Sequence, residues 1–213
     1  MSLLLYGMIG PGETIEVPEK GLIFIPGGGV VALATQSDHT EQDVESALAF
    51  GAVVECIHRQ TTIIPIRFGT LLPDRATVSN YLSAMAGHYQ SRLAALAGCE
   101  EMGVRLPMET NFADSATSAP FSSGRDYLLS LKCKYSASER AERQVEALND
   151  SLSGLYRDQR GEAGWFNNKP MYLVSYLVPR TALAAFRETL EELVRTGACP
   201  GIISGPWPPY NFA

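Results

Sequence analysis

The sequence predicts an α+β protein of two small α/β-sandwich domains, residues 1–98 and 99–213, the second of them ferredoxin-like. Three observations lead there. Short aliphatic runs bounded by Gly and Pro recur in both halves, as buried strands do. Longer segments between them carry apolar residues at helical spacing. The second half reads in the order β, α, β, β, α, β, which suits a four-stranded antiparallel sheet with two helices on one face.

The elements follow in order. Residues 3–9 (LLLYGMI) and 30–36 (VVALATQ) read as buried strands, and LIFIPGGG (22–29) between them reads as a third strand stopped by Pro26 and a glycine turn. MIGPGE (8–13) is also a turn. Asp38 or Thr40 is the expected cap of a helix whose spaced apolar residues are Val44, Ala47, Leu48, Gly51, Val54 and Ile57. TTIIPI (61–66) returns to strand character, with Pro65 at an edge or strand end. Asp74 opens a second helix with the stripe Val78, Tyr81, Leu82, Met85, Tyr89, Leu93 and Leu96. Beyond Gly98, MGVRLPME (102–109) is a strand and 111–123 a loop. A long helix then carries Ala141, Val145, Leu148, Leu152 and Leu155 and is expected to stop at Gly161 or Gly164. WFNN (165–168), MYLVSYLV (171–178), a helix over 181–195 and a final strand complete the half. Because MYLVSYLV is apolar at nearly every position, it is expected as a central strand, in the same sheet as 102–109.

Composition narrows the function. The 213 residues are 46% hydrophobic and 19% charged, enough for folded cores. The balance of 17 Lys and Arg against 23 Asp and Glu gives −6 without a basic cluster, so nucleic acid is not an expected partner. The longest apolar runs, such as Leu22–Ile25 and Ile63–Ile66, fall far short of the roughly 18–20 residues that span a bilayer. Cys56, Cys99, Cys133 and Cys199 lie far apart, and MSLLLYGMIG lacks the basic start of a signal peptide, so a reduced cytoplasmic protein is expected. His39, His58 and His88 have no metal-ligand spacing and read as isolated surface residues, while Cys56 and Cys133 read as small core hydrophobes. No metal or cofactor is expected. Pro26-Gly27-Gly28-Gly29 lacks the following helix and Lys-Ser/Thr of a phosphate loop.

Two segments carry more than packing requires. Ile64-Pro65-Ile66-Arg67-Phe68-Gly69-Thr70 sets an Arg and a Phe at a buried strand's end, just before a glycine. In Gly205-Pro206-Trp207-Pro208-Pro209-Tyr210-Asn211-Phe212, three prolines stiffen the chain and three aromatics project from it. With these blocks, the opening LLLYGMIG, Glu101-Met102-Gly103-Val104-Arg105, Ser123-Gly124-Arg125-Asp126-Tyr127-Leu128, the SYLV of 175–178 and Phe186, the chain resembles the gas vesicle proteins of the F and L type over almost its whole length. It departs from them at Phe50, where the family has a histidine.

The resemblance implies a non-enzymatic accessory or minor structural protein needed to assemble gas vesicles. It implies association with the hydrophobic shell protein and other gas vesicle accessory proteins, away from any lipid membrane. The candidate partner-binding residues are Arg67, Phe68, Trp207, Tyr210 and Phe212. Pro65, Gly69, Gly124, Arg125, Tyr127, Gly205, Pro206, Pro208 and Pro209 shape the motifs around them. Each block also has a structural reading: Arg67 pairing with a carboxylate, Arg125 beside Tyr127 at a helix start, and Trp207 and Tyr210 folding onto the second sheet. The alternative function is an enzymatic or small-molecule-binding module on a ferredoxin-like scaffold, for which only Arg67, Arg125 and Tyr127 offer candidate groups.

Overall fold

The computed structural model describes residues 2–17, 21–37, 43–108 and 141–213. Two compact units divide the chain: Met1–Glu101 together with Pro206–Ala213, and Met102–Gly205. The assignment of 206–213 to the first unit corrects its expected place in the second domain. Pro208, Pro209 and Phe212 are buried, and the amide and side chain of Asn211 both bond to Glu101.

In the first unit, β1 (Ser2–Ile9), β2 (Ile23–Gly27), β3 (Val30–Ser37) and β4 (Ile63–Pro65) form a sheet in the order β2-β3-β1-β4, and β5 (Leu71–Leu72) also pairs with β1. The central β1 is buried on both faces, as its unbroken apolar run requires. Leu5 pairs with Ala34 and Gly7 with Leu33, so Tyr6 is the extra residue of a β-bulge. The Gly28-Gly29 turn between β2 and β3 is a two-residue hairpin, as the glycines predict. Both have positive φ, +59° and +74°. Its tip lies against α2 (Arg75–Ala84) and α3 (Ala86–Leu96): Ser79 Oγ donates to Pro26 O at 2.8 Å and Gln90 Nε2 donates to Gly28 O at 2.8 Å.

Three helical expectations in this unit are corrected. Helix α1 runs Val44–Gln60 and is capped by Asp43, whose Oδ1 accepts from Ser46 N at 2.7 Å, and not by Asp38 or Thr40, which lie outside the described residues. Its buried face is Phe50, Val53, Val54, Ile57 and His58; Val44 and Leu48 are exposed, because the stripe read from the sequence started one face too early. The helix from Asp74, which caps through Thr77 N at 2.7 Å, breaks at Met85 into α2 and α3. Val78, Leu82, Tyr89 and Leu96 point inward, whereas Tyr81 and Met85 are exposed.

In the second unit, β6 (Cys99–Pro107, entering from the first), β7 (Asp158–Phe166), β8 (Lys169–Pro179) and β9 (Ile202–Trp207) form a sheet in the order β7-β8-β6-β9. As expected, β8 is central and shares a sheet with β6; the two are neighbours. Met102, Val104 and Leu106 from β6 and Val174, Tyr176 and Val178 from β8 share one core with Val145 and Leu148 of α4 (141–151), Leu152 just after it, and Phe186 and Leu190 of α5 (Leu183–Arg195). The order of elements and strands is compatible with a ferredoxin-like arrangement.

Helix α4 ends before Gly154, not at Gly161 or Gly164, which sit within β7. Past Leu155 the apolar stripe is exhausted. Asp158–Phe166 is drawn instead into a hairpin with β8 through Asn167 and Asn168, both left-handed at φ +50° and +58°. Within the core, Tyr176 Oη donates to Asn149 Oδ1 at 3.0 Å, and burial raises its phenol pKa well above the ordinary value, with Tyr156 and Cys199 adding to the shift.

Candidate functional site

The PIRFGT block resolves into a connection between β4 and β5, the two short strands that flank the β1 bulge on one side. Pro65 pairs opposite Gly7, Ile66 N donates to Tyr6 O at 3.0 Å, and Leu5 N donates to Thr70 O at 3.1 Å. Between these bonds Arg67-Phe68-Gly69-Thr70 makes a turn in which Thr70 N and Thr70 Oγ1 both donate to Arg67 O, at 3.2 and 2.8 Å. Gly69 occupies its third position at φ +85°, the left-handed conformation that a type II turn demands there. Phe68 is directed inward, with its ring 5.2 Å from Phe50, which in turn stacks on Tyr6 at 4.8 Å. Phe50 is thus the middle ring of a three-aromatic stack. The turn leaves Arg67 exposed, and its guanidinium forms no ion pair with another described residue.

Residues 206–213 behave differently along their length. Pro208, Pro209 and Phe212 are buried, Phe212 to 1% exposure, and Tyr210–Phe212 close a 3-10 turn with Tyr210 N donating to Pro208 O at 2.8 Å. The buried Glu101 carboxylate accepts from Asn211 N at 2.8 Å and from Asn211 Nδ2 at 2.5 Å. Two bonds to one charged group are stronger and more directional than two neutral ones, so the segment is locked in place. Trp207 and Tyr210, by contrast, remain 48% and 41% exposed. Burial, and then the carboxylates of Glu55 and Glu101, raise the Tyr210 phenol pKa, which keeps it a neutral hydrogen-bonding group.

Of the candidates, Arg67, Trp207 and Tyr210 face outward, and Pro65, Phe68 and Phe212 face inward. Phe212 is a core residue, which corrects its expected place in the exposed set. Gly205 turns the strand at φ +105° ahead of Pro206. Gly124, Arg125 and Tyr127 lie outside the described residues, as do His39 and Cys133.

Sequence reasoning missed two buried polar groups. His58, expected at the surface, is buried, with Nε2 2.7 Å from Glu100 Oε2, and Glu101 anchors Asn211. The first was detectable, since His58 follows Ile57 and lies four residues after Val54 on the inward face of α1. The second was not: its partners are 110 positions apart. Cys99 and Cys199 are buried, and burial raises the Cys199 thiol pKa, so it is a poor nucleophile. Among the described residues no group of three His, Cys, Asp or Glu side chains is placed to hold a metal ion, and no helix is long and apolar enough to cross a membrane.

The fold and this surface define a mixed α/β protein of two units, each built on an antiparallel sheet, with locked aromatics on one. Residues 2–213 match the family described as gas vesicle synthesis protein GvpL/GvpF, and the chain belongs to that family. It is 28% identical over 187 residues to gas vesicle protein L of Streptomyces sp. (strain CB03234), covering 79% of this chain and 69% of that protein. Its fold is similar to the crystal structure of gas vesicle protein GvpF from Anabaena sp. PCC7120, with a TM-score of 0.77 at 17% identity over 100% of this chain and 95% of the other. GvpF from Microcystis aeruginosa is similar to the same degree, with a TM-score of 0.76 at 14% identity over 99% and 98%.

Proposed function

We propose that this protein is a non-enzymatic accessory or minor structural protein of gas vesicle assembly, cytoplasmic and vesicle-associated, which binds the hydrophobic shell protein and other accessory proteins of the vesicle. Membership of the family supports the gas vesicle role. A wall that keeps its interior dry needs an apolar inner face, so its free subunit exposes surface that invites aggregation until it is assembled. A partner that holds such a subunit needs exposed, rigid apolar groups.

The observation that carries the reading is the half-exposure of Trp207 and Tyr210 on a segment locked by Pro208, Pro209, Phe212 and the Glu101–Asn211 bonds. Their ordering cost is met during folding, so little remains to be lost on binding. Aromatics in that condition are common hot spots, each contributing roughly 2 kcal/mol or more when central to an interface. Arg67 on its turn offers the guanidinium that interfaces also favour.

The test is coexpression with the gas vesicle shell protein and pull-down. A Trp207→Ala and Tyr210→Ala double variant should keep a cooperative melt and lose capture of the shell protein. Undiminished capture, or unfolding of the variant, would return both aromatics to a structural role.

A further inference from the structure

An edge strand carries a row of backbone donors and acceptors with no partner in its own sheet, so folded proteins defend their edges. Among the described residues, the sheet of the second unit has two, β7 and β9. They are treated differently. Along β7 stand Asp158, Arg160 and Glu162, charges that make pairing with an apolar strand costly. β9, Ile-Ile-Ser-Gly-Pro-Trp, carries no charge, and no charged residue occurs anywhere from Thr196 to Ala213. Ile202 and Trp207, at its two ends, are 49% and 48% exposed. The edge strand β2 of the first sheet is also uncharged, but α2 engages its backbone: Ser79 Oγ donates to Pro26 O at 2.8 Å, and Pro26 has no N–H to offer.

We propose that β9 is a docking edge for an extended, uncharged, apolar segment of a partner, which adds to the sheet as a further strand. The backbone edge itself specifies a strand as the occupant, and the lack of charge together with the exposed Ile202 side chain specifies its chemistry. Pro206 has no N–H, so the ladder is confined to Ile202–Gly205. A second copy of the chain is a poorer occupant, since it would bring the same proline-interrupted stretch to the pairing. The inference deepens the proposed function, on whose reading the donor of the strand is the shell protein.

The test uses the full-length isotopically labelled chain and, as probe, a capped peptide of about ten alternating Val and Thr residues, the length of a long strand. Amide shifts should concentrate at Ile202–Gly205. Ile202→Lys, at an exposed position, should weaken binding about tenfold or more, as lysine does at defended edges, while Trp165→Ala on β7 should leave it unchanged. If the lysine variant melts early, Ile202→Thr carries the comparison, with a loss of about threefold. Shifts elsewhere, no shifts, undiminished binding by the Ile202 variants, or dimerisation through β9 without peptide would each overturn the proposal. Coexpression with the shell protein separates the two readings. Capture lost in Ile202→Lys supports the edge, and capture by wild type and variant alike overturns it. Peptide binding at β9 without capture of the shell protein by the wild type upholds the edge and removes the shell protein as donor.

Discussion

Trp207, Tyr210 and Phe212 are three aromatics within six residues, yet they do unlike things. Phe212 fills a core, so Phe212→Ala should cost about 3–5 kcal/mol. Asn211→Ala, which removes one of the two bonds to Glu101, should cost about 1–3 kcal/mol. Trp207→Ala should stay within about 1 kcal/mol of wild type. Urea unfolding of the three variants checks the order, and equal costs for Trp207 and Phe212 would contradict it. At this scale the sequence showed which residues were unusual without showing which way each one faces. Direction is set by distant groups such as Glu101, and side-chain type alone does not encode it.

Turns were the most legible elements, because left-handed backbone needs particular residues. Gly28→Ala combines a positive φ with a Cβ only 2.6 Å from that of Ala86 and should destabilise by about 1–3 kcal/mol. Asn168→Gly relieves a left-handed non-glycine residue in the β7–β8 turn and should stabilise by about 0.5 kcal/mol. Calorimetric melts should therefore move in opposite directions. The caps add a pH dependence. Backbone amides of Ser46 and Thr77 hold the Asp43 and Asp74 carboxyls below their ordinary pKa. Their contribution is thus whole above about pH 4 and is lost as the pH falls through the lower folded value. Asp74→Asn, which caps without ionising, should flatten that acid limb in a melt series. β7 was illegible for a physical reason: an edge strand exposed along most of its length has no alternation to read. The break of α2–α3 at Met85 was hidden too, because the apolar spacing runs through it.

For the whole molecule, the α+β class and the central place of β8 in one sheet with β6 followed from apolar patterning, whereas the membership of 206–213 in the first unit did not, since patterning says nothing about which of two cores a segment enters. The second core has an alkaline limit. The folded pKa of Tyr176 is raised, so its contribution is whole below the unfolded value of about 10 and is lost as the pH climbs beyond it. Tyr176→Phe should shift that limb upward in denaturation followed by circular dichroism, at some loss of neutral-pH stability because Asn149 loses its donor.

The assignment of Pro206–Ala213 to the unit begun by Met1–Glu101 also dictates an order of completion during translation. A ribosome adding about 5–20 residues per second needs roughly 5–20 s to synthesise Met102–Gly205 between the two pieces. Throughout that interval the first unit lacks Phe212 and the partner that Glu101 will hold. A nascent chain interrupted anywhere in the second unit therefore displays an unfilled apolar site, the kind of lesion that chaperones and proteases recognise, and the first unit closes only after the second has been made.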